Sequence, residues 1–307
     1  MERLLYVREE VAAALAAGAA VVALESTVIA HGLPYPHNFE TALKMEAAAR
    51  EEGAVPATIG VIDGRLVVGL SSKQMELFAT RRNVAKASRA DLSPLLAAGL
   101  AGATTVAATL FIAARAGIHV LATGGIGGVH RGGEQSLDIS ADLTELARTA
   151  VAVVCSGAKA ILDLSRTLEV LETLGVPVVG YATHEFPAFF SRESGLPLPH
   201  HVSTPNEAAH LMRTHWELEM SSGIVFANPP PAEIAVSRSE LESLIAGALD
   251  SAEALGIRGK NVTPHLLQEL ARRSGGGTLR ANIGLLIENA RVAGRIAAAY
   301  AGGEKGS

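Results

Sequence analysis

Cysteine occurs once in these 307 residues, at Cys155, which excludes a disulfide framework and a thiolate metal cluster. A lone thiol fits a reducing compartment, so a cytoplasmic location is expected. Aromatic residues make up only 4% of the chain, while 49% is hydrophobic and rich in Ala, Val and Leu. That balance argues against an all-β sandwich and for helices packed on a sheet. No Lys/Arg cluster is dense enough for a nucleic-acid footprint, and 26 basic against 31 acidic residues leave a net charge of −5. Nucleic acid is therefore not an expected partner. The opening stretch MERLLYVREEVAAALAAG sets acids among its apolar residues and lacks the basic n-region and clean apolar core of a secretory signal. One uncharged run, residues 95–114, has the length of a membrane span. Its Gly102, Thr104 and Thr105 break it into two buried helices instead, and no other segment resembles a span, so no membrane is expected.

What is present is alternation. Residues 21–29 read as a strand, 39–51 as a helix, and 57–68 as a hairpin turning at Asp63-Gly64. Helices are predicted over 71–79, 91–101, 104–116, 142–147, 158–174, 205–216, 237–255, 264–272 and 279–300. Strands are predicted at 118–123, 151–155, 176–181 and 223–227. Strands alternating with helices predict an α/β fold with a mostly parallel or mixed sheet covered by helices. No low-complexity linker or internal repeat divides the chain, so one domain over 1–307 is expected. Ligands in such folds collect at the carboxyl ends of strands, and the polar residues that end apparent strands are the candidates.

Three stretches qualify. In VVALESTVIAHGLPYP, Glu25 interrupts an apolar strand, where a carboxylate needs a partner. It is either a strand-end glutamate satisfied by backbone amides or an ion pair, or a general acid/base whose pKa its apolar neighbours raise. In ATGGIGGVHRGGEQSLDISADL, six glycines over ten residues follow a predicted strand. Such a loop offers free backbone N–H groups to an anionic ligand, unless it is simply flexible surface. Its spacing is not a dinucleotide fingerprint, since His130 stands where the third glycine belongs, and no Gly-Lys-Ser/Thr makes it a P-loop. Asp138 and Asp142, four apart, share a helix face if the helix starts early, and their oxygens suit Mg²⁺ or Mn²⁺. From spacing alone, Asp138 or Ser140 as a helix N-cap is the simpler reading.

The third stretch is VVCSGAKAILDL. With a helix beginning at residue 158, Lys159 falls in its first turn, where the macrodipole disfavours a cation. Desolvation and the dipole together then predict a lowered pKa and a nucleophilic amine able to form an imine. The plain alternative is a lysine that snorkels to solvent. Lys86 in NVAKASRAD, with Arg89 nearby, either binds a phosphate or decorates the surface.

Taken together, VALESTVIAHGLPYP, GAVPATIGVIDG, NVAKASRADL, GATTVAAT, TGGIGGVHRG, DISADL, CSGAKAILDL and TLRANIGLLIENA resemble, in order, the characteristic blocks of the pseudouridine-5'-phosphate glycosidase family. The resemblance runs from about residue 21 to 300. It implies a layered α/β/α fold and reversible cleavage of the C–C glycosidic bond of pseudouridine 5'-phosphate to uracil and ribose 5-phosphate. A carbon-linked base is a poor leaving group, beyond ordinary carboxylate-pair hydrolysis. A lysine joined to C1' of the opened ribose supplies the electron sink that such a cleavage needs. By the resemblance Lys159 is that nucleophile, Glu25 the proton donor, and Asp138 the ligand of a divalent metal, Mn²⁺. Lys86, Val106 and the segment Ser140, Ala141 and Asp142 match substrate positions. Thr123, His130 and Asn282 fall in matching blocks and are expected to contact substrate as well. The resemblance also implies a homotrimer.

Two other function classes remain. Another imine-forming lysine enzyme, an aldolase acting on a sugar phosphate, would use the same amine and release no uracil. A sugar-phosphate or nucleotide binder without catalysis would lose little affinity on Lys159→Ala. Charged Glu25 and Lys159 at apparent strand ends argue against a pure binder.

Overall fold

The computed structural model describes residues 3–257 and 262–303. Its frame is an eleven-stranded mixed sheet. Seven strands run parallel in the order β3 (Val55–Ile62), β2 (Val21–Leu24), β7 (Val120–Ala122), β9 (Ala152–Cys155), β13 (Ile224–Ala227), β11 (Val178–Tyr181) and β12 (His201–Val202). β4 (Arg65–Val68) pairs antiparallel with β3, and β1 (Leu5–Val7) closes that edge alongside β4. β6 (Gly102–Thr104) also runs antiparallel to β3 and carries β5 (Ala85–Ala87) on its far side. A separate two-stranded ribbon joins β8 (Val129–His130) to β10 (Leu162–Asp163).

Local chemistry explains the pieces. β2, β7, β9 and β13 are uniformly buried apolar runs, as strands covered on both faces must be. Asp63 and Gly64 both take positive φ, the conformation a tight hairpin requires, between β3 and β4. Ser71 and Gln74 form a reciprocal capping box at the start of the helix Ser72–Thr80. The uncharged run 95–114 contains no span: the helix Leu92–Ala97 stops, β6 follows, and a new helix, Val106–Ala116, starts on the N-cap Thr105. The stretch expected as a helix to residue 101 is thus shorter, because β6 claims the pairing edge of β3. Among the described residues no helix is long and apolar enough to cross a membrane.

Two departures matter for the site. The strand expected over 21–29 ends at Leu24; the chain bends at Ser26 and winds into a wide π-turn, Val28–Gly32. Asn38 braces that turn by donating to the Ile29 carbonyl at 2.7 Å. The helix expected from residue 158 begins at Leu164, capped by Asp163. Residues 157–163 instead lie against the glycine loop, with Ala158 bridged to Ile126 and β10 paired to β8.

The C-terminal helix, Gly277–Gly302, packs across β2, β7 and β9. Its buried Asn289 donates to the Thr123 carbonyl at 2.9 Å and to Ser156 at 3.1 Å, and accepts from Asn228 at 2.9 Å. One side chain therefore ties this helix to the ends of three neighbouring strands.

Candidate active site

The order in which the chain adds parallel strands reverses beside β2. The chain steps from β2 to β3 on one side, and later places β7 on the other. Such a switch opens a crevice at the strands' carboxyl ends. Glu25 follows β2, Thr123 follows β7, and Lys159 lies four residues past β9. All three line one cavity of about 240 Å³, together with Lys86 of β5 and Asn282 of the C-terminal helix.

Hydrogen bonds hold these groups in register. Ser26 donates to the Ile59 carbonyl at 2.6 Å and accepts from Thr104 N–H at 2.9 Å, while Thr27 donates to the Thr104 carbonyl at 2.7 Å. The bend that carries Glu25 is thereby stitched to β6, whose partner strand carries Lys86. On the opposite side, Lys159 N–H donates to the Ile126 carbonyl and Ile126 N–H to the Gly157 carbonyl. Gly157 takes φ +77°, and a Cβ there would stand 2.1 Å from the Pro187 carbonyl oxygen. Only glycine fits the turn that delivers the lysine.

Electrostatics separate the groups. Glu25 is 7% exposed, and burial pushes its carboxyl above the ordinary range. The Lys159 charge and a short hydrogen bond from Thr123 oppose that shift, and the Asp142 charge adds to it. Lys86 lines the same cavity from β5 and is partly crowded by its neighbours. That crowding, and second the Lys159 charge, lower its pKa, while Glu25 and Asp142 act the other way. With no helix at residue 158, the dipole argument for Lys159 falls. What stands in its place is two amines and one buried carboxyl within reach of one another's charge.

The other expected residues lie outside this lining. The glycine loop is neither flexible surface nor a row of free amides, since residues 123–129 are buried. Gly127 N–H donates to Asp142 Oδ2 at 2.8 Å and Val129 N–H to Thr167 at 3.0 Å. A Cβ on Gly127 would come within 2.2 Å of Ser140 Oγ, so this glycine allows two segments to touch. Asp142 is 5% exposed and its second oxygen accepts Ala107 N–H at 2.8 Å. It clamps the first turn of Val106–Ala116 to the loop and does not share a helix face with Asp138, which precedes the helix Ala141–Leu146. Ser140 is that helix's N-cap, accepting Asp142 N–H at 3.2 Å, and Val106 is buried at the first turn of its own helix. Arg89 is engaged by the buried Glu145 and is not held ready for phosphate.

Asp138 is half exposed, 4.0 Å from His130 Nδ1, and its carbonyl accepts His130 N–H at 3.0 Å. Among the described residues no group of three His, Cys, Asp or Glu could enclose a metal ion. One open carboxylate beside an imidazole does fit a hard cation that keeps most of its waters, as Mg²⁺ and Mn²⁺ do. It does not fit a caged, structural ion.

Sequence reasoning missed His31. It comes from the π-turn and lines the same cavity. Burial, then the Lys86 charge, lower its pKa. The signal was its place six residues after Glu25, once the chain between them turns rather than extends. Phe189 and Leu286, which supply apolar wall, carried no signal beyond hydrophobicity.

Comparison with known proteins places the chain in a family. The model of the family described as indigoidine synthase A like protein matches residues 10–299. A pseudouridine-5'-phosphate glycosidase of Caldanaerobacter subterraneus subsp. tengcongensis is 53% identical over 297 residues, covering 97% of each chain. One of Methylobacterium nodulans is 56% identical over 293 residues, covering 95% of this chain and 87% of that one. Among solved structures, the prealnumycin C-glycosynthase AlnA in complex with ribulose 5-phosphate superposes with a TM-score of 0.92 at 44% identity, covering 99% of both chains. An indigoidine synthase A-like protein of Thermotoga maritima gives 0.87 at 38% identity, covering 96% of both.

Proposed function

We infer that this chain, which belongs to the pseudouridine-5'-phosphate glycosidase family within the indigoidine synthase A like proteins, cleaves the C–C glycosidic bond of pseudouridine 5'-phosphate reversibly. The observation that carries the reading is the convergence of Glu25, Lys86, Thr123 and Lys159 on one cavity at the sheet's switch point.

The chemistry follows from that set. The Lys159 amine adds at C1' and displaces the ring oxygen, leaving an open ribose bonded to nitrogen. Glu25, kept protonated by burial, donates its proton to the base carbon joined to C1'. The C–C bonding electrons return to the uracil ring, and the nitrogen lone pair closes an iminium with C1'. Water then releases ribose 5-phosphate and the free lysine. Thr123 holds the Glu25 carboxyl in place, and Lys86 faces the substrate from the same wall. The Asn282 amide has no hydrogen-bond partner in the described chain, and its paired donor and acceptor suit the imide edge of a uracil. Asp138, with His130, would hold Mn²⁺, which when bound would supply positive charge to offset a phosphate. Ser140, Ala141 and Asp142 support that side through the loop. A cytoplasmic homotrimer completes the reading.

The test is incubation with pseudouridine 5'-phosphate and Mn²⁺, following uracil by chromatography, with Lys159→Ala alongside. Uracil from the parent alone establishes reaction and nucleophile together. The Lys159 side chain makes no hydrogen bond in the described chain, so Lys159→Ala is expected to keep its fold and lose turnover. Uracil from both proteins rejects the lysine. Uracil from neither, with the ion bound, turns the reading to an aldolase acting on another sugar phosphate, which borohydride trapping at Lys159 would identify.

A further inference from the structure

The buried face of the C-terminal helix carries one residue that packing does not require. Apart from Thr278 in the first turn, the other buried residues of Gly277–Gly302 are apolar or glycine, and Asn289 is fully buried among them. A side chain that only filled the interface between helix and sheet would be apolar too, since burying an amide is unfavourable unless its hydrogen bonds are made. Here both ends of the amide are engaged. Its nitrogen donates to the Thr123 carbonyl at 2.9 Å and to Ser156 Oγ at 3.1 Å, and its oxygen accepts from Asn228 Nδ2 at 2.9 Å.

Two of those partners lead to the reacting groups. Thr123, just past β7, is the residue whose hydroxyl donates to Glu25. Ser156 follows β9, beside the left-handed Gly157 that turns the chain towards Lys159. One amide, itself outside the cavity lining, therefore touches the root of both arms. The backbone ladder between β7 and β9 continues at this level, with Thr123 N–H on the Val154 carbonyl at 3.1 Å and Ser156 N–H on the Gly124 carbonyl at 2.8 Å. That ladder spaces the strands without Asn289. The amide adds a hold on the Thr123 carbonyl and the Ser156 hydroxyl, which those ladder bonds do not use.

We propose that Asn289 is a positioning residue for the carbon–carbon cleavage: it holds the Thr123 and Ser156 segments so that the Glu25 carboxyl and the Lys159 amine engage one substrate bond together. This rests on the glycosidase reading and adds to it a residue that acts through its neighbours. The two arms make different demands. A lysine on a flexible stem reaches C1' from a slightly shifted turn, whereas proton transfer to carbon needs donor and acceptor in close alignment. Loosening both roots therefore slows cleavage more than imine formation.

The test separates those steps in Asn289→Leu, which keeps a branched side chain and removes the amide. One assay follows uracil released from pseudouridine 5'-phosphate with Mn²⁺. The other follows borohydride trapping of ribose 5-phosphate on Lys159 by intact mass. The expected result is a kcat for uracil lower by about tenfold or more, with KM and the trapping rate within about threefold of the parent. The basic limb of the kcat profile should also move to higher pH, because the Thr123 hydroxyl, which holds the Glu25 pKa down, is less well aimed. In Thr123→Val that restraint is already gone, so adding Asn289→Leu to it should move the limb no further. Asn289→Asp, equal in size and still an acceptor for Asn228, serves if the leucine variant folds poorly, and urea midpoints report the folding of each. Parallel loss of uracil release and trapping overturns the assignment, since a brace for the fold alone lowers both. An unchanged kcat overturns it too, as do limb shifts that add in the double variant. No uracil from the parent removes the glycosidase reading, and this role with it. Uracil from the parent beside an unaffected variant removes the role alone.

Discussion

Burial lets a carboxyl keep its proton towards neutral pH, and Glu25 shows how few residues that takes. Burial raises its pKa, and the Thr123 hydroxyl, by donating to the charged form, restrains the rise. Removing that donor in Thr123→Val should raise the pKa further. On the proposed role of Glu25 the acid form is the active one, so the basic limb of the kcat profile should move to higher pH. A limb that stays in place would show that another group supplies the proton. The Asp138 side chain makes a separate prediction. Asp138→Ala should lose metal-dependent turnover, and chelation of the parent should abolish activity that Mn²⁺ restores. Full activity in chelator would remove the metal from the reaction. At this scale Glu25 stood out as a charge in an apolar strand and Lys159 as a cation in an expected first helical turn, and the structure brings both to one cavity although that helix starts later. His31 broke no rule, because its role depends on a turn that local pattern does not encode.

Elements explain what single residues could not. The glycine loop invites reading as an anion cradle, yet Ile126, Gly127 and Val129 spend their amides inside the protein. Asp142 supplies one of those partners while capping the helix Val106–Ala116. Asp142→Ala should therefore lower stability by about 3 kcal/mol, two buried charge-assisted bonds being lost together. Asp142→Asn should lower it less, because one amide oxygen still accepts. Urea midpoints at fixed pH decide this, and equal midpoints for parent and Asp142→Ala would return Asp142 to the substrate. The late start of the helix at Leu164 belongs here too. Apolar spacing over residues 158–164 suits a helix, but Gly157 in a left-handed conformation and pairing to the loop override it. Sequence periodicity registers the apolar positions and not the partner that claims them.

For the whole molecule, the class was readable from alternation and the strand order was not. Each of β2, β7, β9 and β13 is a short apolar run of the same kind, and nothing within them says that β7 lies beside β2 or that β13 separates β9 from β11. That order comes from long-range packing, and it creates the crevice where the site sits. A further property at this scale is assembly. Light scattering should give three times the mass of the chain, and a monodisperse monomer with full turnover would set the trimer aside.

The order in which the chain is made gives the Asn289 junction a further meaning. Lys159 leaves the ribosome long before the helix Gly277–Gly302 exists to seat Asn289 against Thr123, Ser156 and Asn228. Until that last helix docks, the cavity lacks Asn282 and Leu286 and stays open to water. Truncated or unfinished chains therefore carry Lys159 without the wall that completes its cavity, so the site is finished only with the last helix to be made.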